Sequence, residues 1–127
     1  MRTVRILVVD DEETIRRVSA RLLQRAGYTT LTASDGPEAL QVAESEGQFD
    51  LLLTDLKMPL MRGDELATRL RAAVPRLPVL YLTGHLDDLF HQRAALDDCE
   101  AVLQKPVTAQ ELLSAVAALL PPAATLG

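Results

Sequence analysis

Short apolar runs alternate with stretches of helical periodicity along the chain. The runs fall at 4–9, 29–33, 50–54, 79–82 and 101–104. None keeps a strict apolar–polar alternation, so each reads as a strand covered on both faces, as in a parallel sheet. Between them, 13–26 places Ile15, Val18, Leu22 and Leu23 on one helical face and meets a C-cap signal at Gly27. Ser34-Asp35-Gly36-Pro37-Glu38 is a helix start, continuing through Ala39, Leu40, Val42 and Ala43 to Gly47. A third pattern covers 63–73 and is closed off by Pro75 and Pro78, and a weaker fourth covers 86–96. Thr108 caps the last, which runs through Leu112, Leu113, Val116 and Leu120 until Pro121-Pro122 stops it.

Five βα units predict an open α/β sandwich, because right-handed crossovers lay helices on both faces of a parallel sheet. The expected domain spans 1–120, with 121–127 as a C-terminal tail or linker. A length of 127 residues fits one domain with a real core. Hydrophobic residues make up 48% of the chain, with no Trp, two Tyr and two Phe, so that core is aliphatic. A net charge of -5, with 13 Lys and Arg scattered rather than striped, argues against a nucleic-acid surface. The lone Cys99 excludes an internal disulfide and reads as a small filler beside a strand. No apolar run is long enough to span a bilayer and no signal-peptide pattern opens the chain. A soluble cytoplasmic domain with no direct membrane contact is the expectation.

Chemistry concentrates at the predicted strand ends. In an open parallel sheet, ligands bind beyond the carboxyl ends of the strands. There the first strand presents Asp10, Asp11 and Glu12, the third Asp55, the fourth Thr83 and Gly84, and the fifth Lys105 before Pro106. Three aspartates gathered on one rim repel one another unless a cation intervenes. Mg²⁺, with Mn²⁺ as a substitute, suits carboxylates supplemented by water and phosphate oxygens. With Lys105 as a fixed charge and Thr83 as a hydroxyl donor, the set fits phosphoryl transfer to Asp55.

The segments "ILVVDDE", "LLLTDLKMP", "VLYLTG" and "VLQKP", in this order and each ending a predicted strand, closely resemble the receiver (response-regulator, CheY-like) domain of two-component signalling. The resemblance implies a flavodoxin-like (βα)5 doubly wound sheet with strand order 2-1-3-4-5. It implies phosphorylation of Asp55 by a histidine kinase or phosphotransfer protein in a Mg²⁺-dependent reaction. Asp10, Asp11, Asp55 and the backbone carbonyl of Lys57 would hold the metal. Thr83 matches the switch hydroxyl, Lys105 the family's lysine, and Gly84 the small residue that leaves room for the phosphoryl group. Lys105-Pro106 matches a cis peptide. Lys57 and His85 occupy places that often tune the lifetime of the acyl phosphate. Two positions depart from the family pattern: Val102 stands where receivers commonly carry Phe or Tyr, and Val107 where an aromatic often follows Lys-Pro. Output is therefore expected through repacking of the loop and the 86–96 helix around Thr83.

Such a domain is no enzyme beyond its own aspartyl phosphorylation and dephosphorylation. A small Mg²⁺-dependent phosphatase is the alternative, but that chemistry wants an acid where Lys57 stands and no insertion builds a substrate pocket. A docking domain independent of phosphorylation is a further alternative, to which Val102 gives some room. No Walker loop or GxGxxG supports nucleotide binding. His85 and His91 otherwise read as solvated histidines, and Asp87-Asp88 and Asp97-Asp98 as caps and loop. "VLYLTGHLDD" and "VLQKPVTAQELLSAV" are similar to receivers of hybrid sensor histidine kinases, so a stand-alone regulator and a receiver from a longer protein both fit. A monomer or a phosphorylation-dependent dimer is expected.

Overall fold

Each of the five apolar runs forms a strand: β1 (Arg5–Val9), β2 (Thr29–Ala33), β3 (Leu51–Asp55), β4 (Val79–Thr83) and β5 (Glu100–Gln104). The computed structural model describes residues 3–84 and 96–121. All neighbouring strands are parallel and their order is β2-β1-β3-β4-β5. The in-register pairs Val9↔Ala33, Val9↔Thr54, Asp55↔Leu82 and Thr83↔Gln104 bring the carboxyl ends to one rim. The central strands are covered on both faces as their unbroken apolar runs require. The edge strands β2 and β5 are not; each keeps partly exposed positions, and no described strand pairs with their outer sides.

Helices α1 (Glu13–Arg25), α2 (Gly36–Glu46), α3 (Gly63–Arg71) and α4 (Ala109–Leu119) cover the sheet. Alternating strand residues feed two aliphatic cores. Leu7, Val9, Leu52, Val79 and Tyr81 meet Ala39 of α2 and Leu66 and Leu70 of α3. Ile6, Val8, Leu51, Leu53, Leu80 and Leu82 meet Leu23 of α1 and Leu112 and Val116 of α4. The helix expected over 86–96 falls, apart from Leu96, outside the described residues.

Local signals explain the helix ends. At the end of α1, the Gly27 N–H donates to Gln24 O (3.0 Å) and the Tyr28 N–H to Leu23 O (3.1 Å), with Gly27 at φ +100°. This paired closure needs the left-handed residue that glycine supplies without strain. One detail differs from the sequence reading: α1 buries Ser19, Ala20 and Leu23, while Val18 is 53% exposed. The two small side chains let the helix axis lie close to the sheet, which rotates Val18 onto its flank. In α4, Thr108 and Glu111 cap one another, the Thr108 hydroxyl accepting from Glu111 N (3.1 Å) and the Glu111 carboxylate from Thr108 N (2.9 Å). Asp35 caps α2 by accepting from Glu38 N at 2.8 Å. Asp35→Ala is expected to cost about 1 kcal/mol in urea denaturation, the usual worth of such a cap.

Candidate functional site

The sheet reverses its winding between β1 and β3, which lie side by side although β1 is followed in the chain by β2. Crossovers leaving them in opposite directions open a crevice there, and the residues that end both strands are aspartates. Asp10 follows β1 and is buried; its Oδ1 accepts from Glu12 N (2.9 Å) and its carbonyl from Arg16 Nη1 (2.8 Å). Asp55 is the last residue of β3, also buried, and follows the leucines Leu51, Leu52 and Leu53 of that strand. Asp11 is exposed beside them. One carboxylate oxygen from each of Asp10, Asp11 and Asp55 lies within 4.8 Å of the others.

Lys105 reaches into this group from beyond β5. Its Nζ stands 3.2 Å from Asp10 Oδ2, 3.4 Å from Asp55 Oδ2 and 3.6 Å from Glu12 Oε1. Its backbone N–H donates to Thr83 O at 2.8 Å, which ties the Lys105 backbone to the end of β4. Thr83 is buried in the same wall, and Lys105-Pro106 is cis. Gly84 is exposed, and a Cβ built on it would meet nothing within 4 Å among the described residues. Lys57, two residues beyond Asp55, is exposed, and Val102 is half-buried. His85, His91 and Asp87-Asp88 lie outside the described residues.

The electrostatics are those of a site short of positive charge. Burial pushes the Asp55 carboxyl up to about 6, with Lys105 opposing the rise and Asp10 adding to it. Burial likewise raises Asp10, against the pull of the Glu12 N–H and Lys105. Burial would lower Lys105, but Asp10 and Asp55 hold its ammonium above the ordinary lysine range. A hard divalent cation with oxygen preference fits this donor set, since three carboxylates converge and one ammonium cannot neutralise them.

Several features of the site escaped the sequence reading. Gly63, the first residue of α3, lies so close to the strand end that an added Cβ would stand 2.2 Å from Asp55 O. Its N–H donates to Leu56 O at 2.8 Å. Between them the chain makes a γ-turn, with Met61 N donating to Pro59 O (2.8 Å) around Leu60 at φ +74°. No spacing rule signals that turn. The cations are also less scattered than they read: Arg17, Arg21 and Arg25 line one groove of α1 with Val18 and Leu22. Their four-residue spacing carried that signal. Asp97 is more than a loop acid, since it pairs with Arg71 at 3.3 Å and accepts from Cys99 N at 2.9 Å.

With this geometry in hand, the family model of the response regulator receiver domain matches residues 6–117. The chain belongs to that family. Among solved structures, this receiver domain is similar to the receiver domain of the hybrid histidine kinase CckA, with 36% identity, a TM-score of 0.75, and coverage of 91% of this chain and 98% of that one. It is similar to the Vibrio cholerae chemotaxis protein CheY4, with 32% identity, a TM-score of 0.81, and coverage of 94% and 100%. Among curated relatives, the response regulator MprA of Mycobacterium ulcerans is 40% identical over 93% of this chain and 50% of its own length. The sensor kinase CckA of Brucella abortus is 33% identical over 91% of this chain and 12% of its own length. The receiver domain thus spans half or less of these curated relatives.

Proposed function

We propose that this receiver domain accepts a phosphoryl group on Asp55 from the phosphohistidine of a histidine kinase or phosphotransfer protein, and alters its partner contacts while phosphorylated. The observation that carries this reading is the placement of Asp55 at the switch-point crevice with the Lys105 ammonium 3.4 Å away. A carboxylate oxygen of Asp55 attacks phosphorus as the P–N bond breaks, and the imidazole leaves. Water later cleaves the acyl phosphate, releasing inorganic phosphate and restoring the carboxylate.

Asp10, Asp11, Asp55 and the Lys57 carbonyl would hold Mg²⁺, or Mn²⁺ in its place; the ion supplies neutralising charge for phosphoryl oxygens. Lys105 supplies a second positive charge from the opposite wall and orients the Asp55 oxygen. Thr83 offers a hydroxyl donor from the end of β4, and exposed Gly84 leaves the approach open. Lys57 and His85, each two residues beyond a site residue in the sequence, set how long the phosphate survives. Lys57 also stands where a phosphatase of this type needs its acid, which disfavours hydrolysis of foreign substrates. Among the described residues no helix is long and apolar enough to cross a membrane. The cytoplasm, where phosphohistidine donors act, is the proposed location, and the domain is a monomer or dimerises on phosphorylation.

Incubation with Mg²⁺ and a small acyl phosphate, followed by intact mass, is expected to show one added phosphoryl group; no addition rejects the reading. Lys105→Met is expected to slow uptake by about 10²-fold, the usual effect of removing one preorganised charge from the transition state. Stopped time points in the same mass assay measure it.

A further inference from the structure

Val102 lacks the ring that receivers commonly carry there, yet an aromatic side chain does stand at this point of the sheet. Tyr81 of β4 pairs with Val102 of β5 in the parallel register. It precedes Thr83 by two residues on one strand, so the two side chains leave the same face. Its ring is fully buried in the core shared with α3. The hydroxyl donates to Glu100 Oε2 at 3.2 Å. That carboxylate, itself 1% exposed, is gripped by Arg71 Nη1 at 3.3 Å, and its Oε1 accepts from Asp97 N at 3.2 Å. Arg71, the last residue of α3, also donates to Leu77 O at 2.8 Å. A continuous hydrogen-bonded path thus runs from β4 to the end of α3 and the start of β5.

This anchoring decides how the ring can respond. Swinging it outward would break the hydroxyl's bond to a buried carboxylate, which costs more than breaking one at the surface. The ring can instead shift with its strand. The end of β4 is coupled to the acidic crevice through Leu56 N donating to Leu82 O (3.0 Å) and Lys105 N donating to Thr83 O (2.8 Å). Tyr81 stands two residues before Thr83 on this strand, on the same face.

We propose that Tyr81 is the aromatic positioning residue through which phosphorylation of Asp55 is read out, acting through its hydroxyl's bond to Glu100, which Arg71 holds in turn, instead of by ring rotation. This rests on the reading of Asp55 as phosphoacceptor. The signal then leaves the domain at the Arg71 end of α3 and the 97–100 turn.

The chain has only two tyrosines, and Tyr28 packs against the opposite core, so it serves as an internal reference. Ring resonances of the tyrosine-labelled protein are recorded with Mg²⁺, with and without excess acyl phosphate, while intact mass follows phosphoryl addition. Tyr81 is expected to shift and Tyr28 to stay. In Tyr81→Phe, which keeps the ring, uptake is expected to be unchanged, while the amide shifts of Arg71, Asp97 and Glu100 fall to about half or less. Tyr81 resonances that stay put in phosphorylated protein overturn the proposal, as do undiminished amide responses in Tyr81→Phe. Should that variant misfold, the wild-type ring measurement still decides. Missing phosphoryl addition instead refutes the parent reading, and the mass distinguishes the two failures.

Discussion

Asp55→Asn is expected to abolish phosphoryl uptake and, without metal, to make the fold more stable at neutral pH. The first effect follows from removing the attacking oxygen's charge; an amide has no comparable nucleophile. The second follows from desolvation. In the unfolded chain the Asp55 carboxyl titrates near 3.8, whereas burial in the fold raises it to about 6. Between these values the folded protein still holds a proton that the unfolded chain has released. Stability therefore falls as pH rises from about 4 to 6 and stays low above, by about 3 kcal/mol at 1.36 kcal/mol per pH unit. Asp10 is raised as well and acts in the same direction. Asparagine at 55 leaves Lys105 paired with Asp10, so no cation is stranded. Urea denaturation is expected to show a gain of about 1–3 kcal/mol at pH 7.5 and little change at pH 4. Millimolar Mg²⁺ is expected to stabilise the wild type and much less the variant, because binding favours the ionised carboxylates. A variant that still gains a phosphoryl group, or that is no more stable at pH 7.5, contradicts this account.

Gly63→Ala is expected to be the most damaging single-methyl substitution in the domain. The added carbon would lie 2.2 Å from Asp55 O and 3.1 Å from Thr54 Cγ2. Neither a backbone carbonyl nor the strand beneath it can turn aside as a flexible side chain does. Either the first turn of α3 lifts off or β3 bends, and the Gly63 N–H bond to Leu56 O lengthens with it. Overpacking of this kind costs about 3 kcal/mol or more where backbone must move. Because the displaced atom belongs to Asp55, the proposed acceptor, uptake should fall together with stability. Gly84→Ala is the control: its Cβ meets nothing within 4 Å among the described residues, so stability should change by less than about 0.5 kcal/mol. Thermal and urea unfolding of both variants, with the mass assay alongside, separates the cases.

Strand and helix existence was legible because burial writes itself into periodicity: Leu51–Asp55 opens on three leucines with no polar alternation, and every position of it is buried. Helix ends were legible where a residue has one local job, as with Asp35, Gly27 and Thr108. The acidic rim was legible too, since strand ends in a parallel sheet must converge and carboxylates there need a counter-charge. Val18 misled, because an apolar residue at helical spacing can lie on a flank when smaller neighbours take the inner face.

What the chain order determined by itself was therefore the doubly wound sheet and the identity of the residues on its rim. Only the tertiary structure decided distances and partners: that Lys105 bridges Asp10 and Asp55, that Gly63 abuts Asp55, and that Glu100 joins Tyr81 to Arg71. The reason is physical. Periodicity and capping act over a few residues and leave a local mark, whereas these contacts join segments up to 95 residues apart, and no local spacing encodes their meeting.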